Sequence, residues 1–154
     1  MPTNAERHLQ LPTDSEHLAT AGQPTAEQFA TIRQAGFDLV VNLALPTSTN
    51  ALPDERSVVE ACGMTYVPIP VIWASPTAAD FEQFQATLAS HPDQKIFVHC
   101  AMNMRVSAFV YLHRRLKGVP QPLAAADLAQ IWEPNETWQQ FIDDTLGQAG
   151  LTQD

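Results

Sequence analysis

At 154 residues the chain has room for one domain with a sizeable core and not for two ordinary ones. Apolar residues make up 45% of it, so a globular fold is the default. A net charge of −9 argues against nucleic acid or an anionic membrane as a main partner, because both select basic surfaces.

Residues 1–18 are mixed and polar. Short strand patterns near 8–11 and 18–20 read as an edge hairpin or as loose chain over residues 1–20, at the front of a single domain spanning 1–154. Thr25 and Gln28 then make a capping-box pattern, and Phe29, Ile32 and Arg33 continue a helix that Gly36 should end. Residues 37–45 read as a buried strand, 46–53 as a loop, 54–62 as a short helix stopped by Gly63, and 65–71 as the next strand. Pro76 and Thr77 open a helix with Asp80 at its third position and an apolar stripe of Phe81, Phe84 and Leu88. Lys95 leads into a further strand and then a helix that is apolar nearly all round, with Arg114, Arg115 and Lys117 complementing the negative end of its dipole. After Gly118 and Pro120, two more helices are expected at about 122–132 and 136–149, the last carrying Trp138, Phe141, Ile142 and Leu146 on one face. From Gly118 onward there are six acids and no Lys or Arg, which reads as a solvated helical face. Helices alternating with buried strands predict an α/β fold, a mainly parallel sheet of four or five strands flanked by helices.

The chemistry concentrates in the turn after the Lys95 strand: His99, Cys100, Ala101, Met102, Asn103, Met104, Arg105 and, at the start of the helix, Ser107. Loop amides and the positive end of the following helix dipole converge there on an anion and favour a thiolate. Arg105 adds a planar fork of donors suited to a tetrahedral oxyanion, and its place at a helix start, where a cation opposes the dipole, calls for an anion. Thiolate, amides and arginine together describe nucleophilic attack on a bound oxyanion ester. Asn103 is suited to hydrogen-bonding the loop or to a left-handed turn position. Met102 and Met104 form an apolar floor for a substrate ring or pack beneath the loop, and Trp73 lines the site mouth or serves as a rim aromatic of the core.

A strand, His-Cys, a short loop, Arg and a helix resembles the signature of cysteine-dependent phosphatases of the tyrosine and dual-specificity type, written His-Cys-x5-Arg-Ser/Thr. His99, Cys100 and Arg105 match it. Only four residues separate Cys100 from Arg105, however, and Val106 stands in place of the hydroxyl, with Ser107 one position later. The pattern from about Ala21 to about Leu116 is similar to a small bacterial phosphatase-like domain, also found fused to beta-lactamase-like hydrolases, that shares the short loop. The resemblance implies a dual-specificity phosphatase-like fold and hydrolysis of a phosphomonoester through a phosphocysteine. Cys100 is then the nucleophile, Arg105 and the amides of residues 101–105 the phosphate cradle, His99 the partner of the cysteine, and Ser107 an aid to the leaving thiol. The six-residue loop also resembles that of rhodanese sulfurtransferases, which carries a persulfide.

A phosphatase needs a general acid. The resemblance places one in the loop after the 65–71 strand, and residues 72–76 contain none. Asp80 is the nearest acid, with a helix cap as its competing role, and Glu55 is a second candidate under the same competition. A catalytically weak oxyanion-binding module is therefore a third reading. No cofactor or metal is expected, since no Cys-x-x-Cys, His-Glu-x-x-His or calcium-loop pattern is present. The partner expected is a phosphorylated substrate or another oxyanion, and the residues assign no oligomeric state. Two cysteines make no disulfide framework, and no signal-peptide core or run of about 18 apolar residues is found, so a soluble, cytoplasmic protein is expected.

Overall fold

The computed structural model describes residues 17–48 and 50–151, so the strand pattern near residues 8–11 lies outside the described residues. In chain order the elements are β1 (Leu18–Ala21), α1 (Ala26–Gln34), β2 (Leu39–Asn42), α2 (Glu55–Ala61), β3 (Thr65–Pro68), α3 (Ala78–Ser90), β4 (Ile96–His99), α4 (Met104–Leu116), α5 (Gln121–Ile131) and α6 (Glu136–Gln148). The punctuation follows the expected chemistry. Thr25 and Thr77 close capping boxes with Gln28 and Asp80, and Gly36 and Gly63 take the positive φ that ends α1 and α2.

The four strands form one sheet in the order β1-β4-β2-β3, every pair parallel. Their registers align Ala21 with His99, His99 with Asn42 and Asn42 with Pro68, so the carboxyl ends lie in a single row. The segments that follow each strand are thereby delivered to one edge of the sheet, where α/β proteins commonly bind ligands.

Period-two alternation sends side chains to opposite faces. Leu39, Val41, Ile96 and Val98 join the core beneath α3 to α6, whereas Val40 and Phe97 join Phe29, Ile32 and Val59 beneath α1 and α2. Regular strand is shorter than the apolar runs suggested, yet pairing continues past its ends. Leu43 N–H donates to His99 O at 2.8 Å, Ile69 N–H to Asn42 O at 2.8 Å and Val71 N–H to Leu43 O at 3.0 Å. The residues donating beyond β3 are odd-numbered, so Pro68 and Pro70, which have no N–H, fall on the outward side of an edge strand. For the same reason β3 is only half-buried, unlike the buried strand the pattern suggested.

α4 is buried on almost every side, from Arg105 to Leu112 without a break. Phe109 sits at its centre, within ring contact of Phe81, Phe84, Trp138 and Phe141. Trp138, Phe141, Ile142 and Leu146 of α6 are all buried against this core, as their spacing predicts. The basic end of α4 departs from the sequence reading. Arg114 is 1% exposed and paired with Asp127 of α5, and Arg115 bonds the Tyr111 hydroxyl, so both serve packing as well as the dipole. Glu133, Glu136, Asp143 and Asp144 are exposed, as a solvated face requires. Truncating Phe109 to Ala should cost about 3–5 kcal/mol, read as a lower midpoint in denaturant unfolding with an unchanged slope.

Candidate active site

Cys100 is the first residue past β4, 1% exposed, with its N–H directed at Ala21 O at 3.4 Å. The turn that follows is closed by Asn103, which takes a left-handed conformation (φ 64°) immediately before α4. Its short polar side chain tolerates that region, and its Nδ2 reaches Thr20 Oγ1 at 3.5 Å. The Asn103 side chain makes no capping bond to α4, in contrast to α1, α3 and α6, whose first-turn amides are met by Thr25, Thr77 and Asn135. The opening of α4 therefore keeps amides available to an anion.

Arg105, in the first turn of α4, is 7% exposed. Its Nη1 donates to Val71 O at 2.9 Å and its guanidinium lies 5.9 Å from the Trp73 ring centre. Among the described residues it has no carboxylate partner. Trp73 is 38% exposed, its ring tilted against Trp132 and Trp138 and its carbonyl accepting from Trp138 Nε1 at 2.8 Å. Met102 is 65% exposed and so projects outward from the turn, whereas Met104 and Ala101 are half-buried. The Ser107 hydroxyl donates to Met104 O at 2.8 Å and accepts from Trp132 Nε1 at 3.1 Å.

Behind Cys100 lies a buried polar chain. His99 Nε2 is 2.7 Å from Glu55 Oε2, His99 Nδ1 is 3.3 Å from Cys100 O, and Gln23 Nε2 donates to Glu55 Oε1 at 2.8 Å. Burial pushes the Glu55 carboxyl up. The hydrogen bond and charge of His99, with further hydrogen bonds from Gln23 and Tyr66, outweigh burial and leave it below its ordinary value. Gln23 N–H also reaches Ala101 O at 3.0 Å, and Gly22 makes room for this. A Cβ there would lie 3.0 Å from the same oxygen.

Asp80 stands in the first turn of α3, where its Oδ2 accepts from Thr77 N–H at 3.2 Å. Among the described residues no cluster of three or more His, Cys, Asp or Glu is arranged for a metal, and no helix is long and apolar enough to cross a membrane. Gln23, and the union of Glu55 with His99, were missed in the sequence. The usable signal was position, because both residues follow strands whose ends share the row of His99.

Residues 3–142 match the profile of one family, described as DSP-PTPase phosphatase fused to NAD+ kinase. The chain belongs to this phosphatase family. Over 107 residues it is 31% identical to a beta-lactamase hydrolase-like protein of Agrobacterium fabrum, covering 68% of this chain and 25% of that protein. It thus spans about a quarter of the length of the curated relatives it matches. A candidate phosphatase of the DUF442 type from Shewanella putrefaciens superposes with a TM-score of 0.82 at 34% identity over 92% of both chains. Kinase-associated phosphatase, in a form whose catalytic-site cysteine is replaced by serine, shares the fold at a TM-score of 0.75 and 10% identity, over 86% of this chain and 87% of that one. The dual-specificity phosphatase architecture expected from His99, Cys100 and Arg105 is the one observed.

A carboxyl held below its ordinary value stabilises the fold fully above that value, 4.5, and loses the contribution as pH falls through the lower folded value. Thermal unfolding midpoints should therefore fall more steeply between neutral pH and pH 3 in the wild type than in Glu55→Gln. The variant should start lower at neutral pH, where a buried pair loses one partner.

Proposed function

We propose that the chain is a cysteine-dependent phosphomonoester hydrolase. The observation carrying this reading is Arg105, a buried guanidinium with no carboxylate partner among the described residues, set in the uncapped first turn of the helix that follows Cys100. A buried cation there is compensated by an exogenous oxyanion bound to the turn. The Cys100 thiolate attacks phosphorus, the P–O ester bond breaks, and its electron pair leaves on the ester oxygen, which takes up a proton. Water then attacks the phosphocysteine, the P–S bond breaks, and inorganic phosphate departs with the thiolate restored. Arg105 and the amides of residues 101–105 hold the equatorial oxygens throughout.

In this reading Asp80 would supply the leaving-group proton, at the expense of its cap on α3, while Trp73 and Met102 border the entrance. Ser107 supports the turn through Met104 O and Trp132. A phosphorylated protein or small molecule is the substrate class, with the protein working as a soluble cytoplasmic enzyme.

The test is phosphate release from an aryl phosphate across pH 5–8. Wild type should turn over, Cys100→Ser should abolish release, and Arg105→Ala should lower kcat/KM by about 10²-fold or more. An inert wild type that still binds phosphate would leave an oxyanion-binding module, and a persulfide on Cys100 with thiosulfate activity would make it a sulfurtransferase. Asp80→Asn separates the acid from the cap. As the acid, it should slow an alkyl phosphate by about 10²-fold while sparing a good aryl leaving group. As a cap alone, it should lower the unfolding midpoint by the equivalent of about 1 kcal/mol and leave both substrates unchanged.

A further inference from the structure

Gln23, Glu55 and His99 form a buried chain bonded to the backbone of the turn that begins at Cys100. Both Glu55 oxygens are occupied, by Gln23 Nε2–H and by His99 Nε2, and the residue is 6% exposed. We propose that Glu55 is a positioning residue: through His99 and Gln23 it clamps the backbone of Cys100 and Ala101 and holds a charged imidazole on the Cys100 carbonyl. This rests on reading Cys100 as the nucleophile.

The backbone argument follows from peptide planarity. A trans peptide carries its C=O and N–H on opposite edges. Cys100 O is turned back to His99 Nδ1, so the Ala101 N–H is turned the other way. Ala101 O is turned back to Gln23 N–H, so the Met102 N–H also faces away from Gln23. Two successive amides are thus presented on the side opposite the clamp, the arrangement of an anion nest. Glu55 couples the two contacts, because one carboxylate holds both residues that receive the carbonyls.

The charge argument is hydrogen-bond inventory. His99 is fully buried and its two ring nitrogens face an ionised carboxylate and a carbonyl, both acceptors. A ring that serves both contacts donates from both nitrogens and carries a positive charge, which Glu55 compensates. Among the described residues, Glu55 is the one acid paired with the ring. Phe29 and Phe97 flank the ring, and the further titratable groups around Glu55 are the Tyr66 hydroxyl and Arg56, whose guanidinium lies over the Tyr66 ring. An imidazolium bonded to the carbonyl of Cys100 favours its thiolate.

The experiment measures alkylation of Cys100 by iodoacetamide between pH 5 and 9, in a Cys62→Ser background that removes the half-buried second thiol. Glu55→Gln keeps the shape of the side chain but not its charge. Alkylation at pH 6 should slow by about tenfold and converge with the parent at pH 9, with Glu55→Asp recovering part of the loss. Rates within about twofold of the parent at every pH would overturn the proposal, since that factor is worth well under a unit of pH shift. Alkylation reads the thiol without turnover. A parent that hydrolyses no phosphomonoester but shows the expected profile would therefore remove the phosphatase reading and leave the clamp. Should Glu55→Gln fail to fold, the ¹⁵N spectrum of wild-type His99 at neutral pH decides: a ring protonated on both nitrogens supports the clamp, and a neutral tautomer overturns it.

Discussion

Burial of α4 between the sheet and the helices α3, α5 and α6 sets what the turn before it can do. β4 is paired on both sides, with β1 and with β2, and is buried throughout. Neither flanking element can shift without disturbing the core that holds Phe109. A six-residue link from Cys100 to Arg105 between two fixed ends has few conformations. The left-handed Asn103 is what lets so short a link reverse direction into the helix. The shape of the turn is in this sense a by-product of core packing.

In a protein of net charge −9, the proposed oxyanion site has to be made locally. The charges near the turn show how. Arg105 is unopposed by any carboxylate among the described residues, whereas the acid deepest beside the turn, Glu55, is consumed by His99 and Gln23. Acids on the C-terminal helices are either exposed or, like Asp127, spent on Arg114. The turn thus sets amides and an unopposed guanidinium together in a chain of net negative charge, so attraction of an anion to it would depend on short-range contacts rather than long-range steering.

Much of this was legible in the residues. Thr25 with Gln28 and Thr77 with Asp80 mark helix starts because the chemistry of a capping box is local, and Gly36 and Gly63 mark stops for the same reason. His99, Cys100 and Arg105 were readable because their spacing ties them to one turn. Contacts between distant segments were not. The partnership of Glu55 with His99 spans 44 positions, and it follows only once strand order brings the ends of β2 and β4 side by side. Arg114 could be read as a dipole partner, but its burial against Asp127 depends on how α5 returns across α4. The edge position of β3 was encoded in Pro68 and Pro70, whose missing N–H groups forbid a central strand.

The segment between β3 and α3 bears on the missing acid. It carries Ile72 and Trp73, both exposed at the surface, and no carboxylate before Asp80. It is also tied down at several points: Val71 O to Arg105, Trp73 O to Trp138 Nε1, the Trp73 ring against Trp132, and a turn closed by Ser75 N–H on Ile72 O. Trp132 in turn holds Ser107, and Ser107 holds Met104 O at the start of α4. The wall of the site, the turn and the C-terminal helices therefore form one connected set of contacts. Under the proposed function, a wall tied down in this way would meet a substrate with the exposed side chains of Ile72 and Trp73. Residues 72–76 contain no acid, so in the proposed reaction the proton would come from a group outside the segment, such as Asp80, or a good leaving group would depart without one.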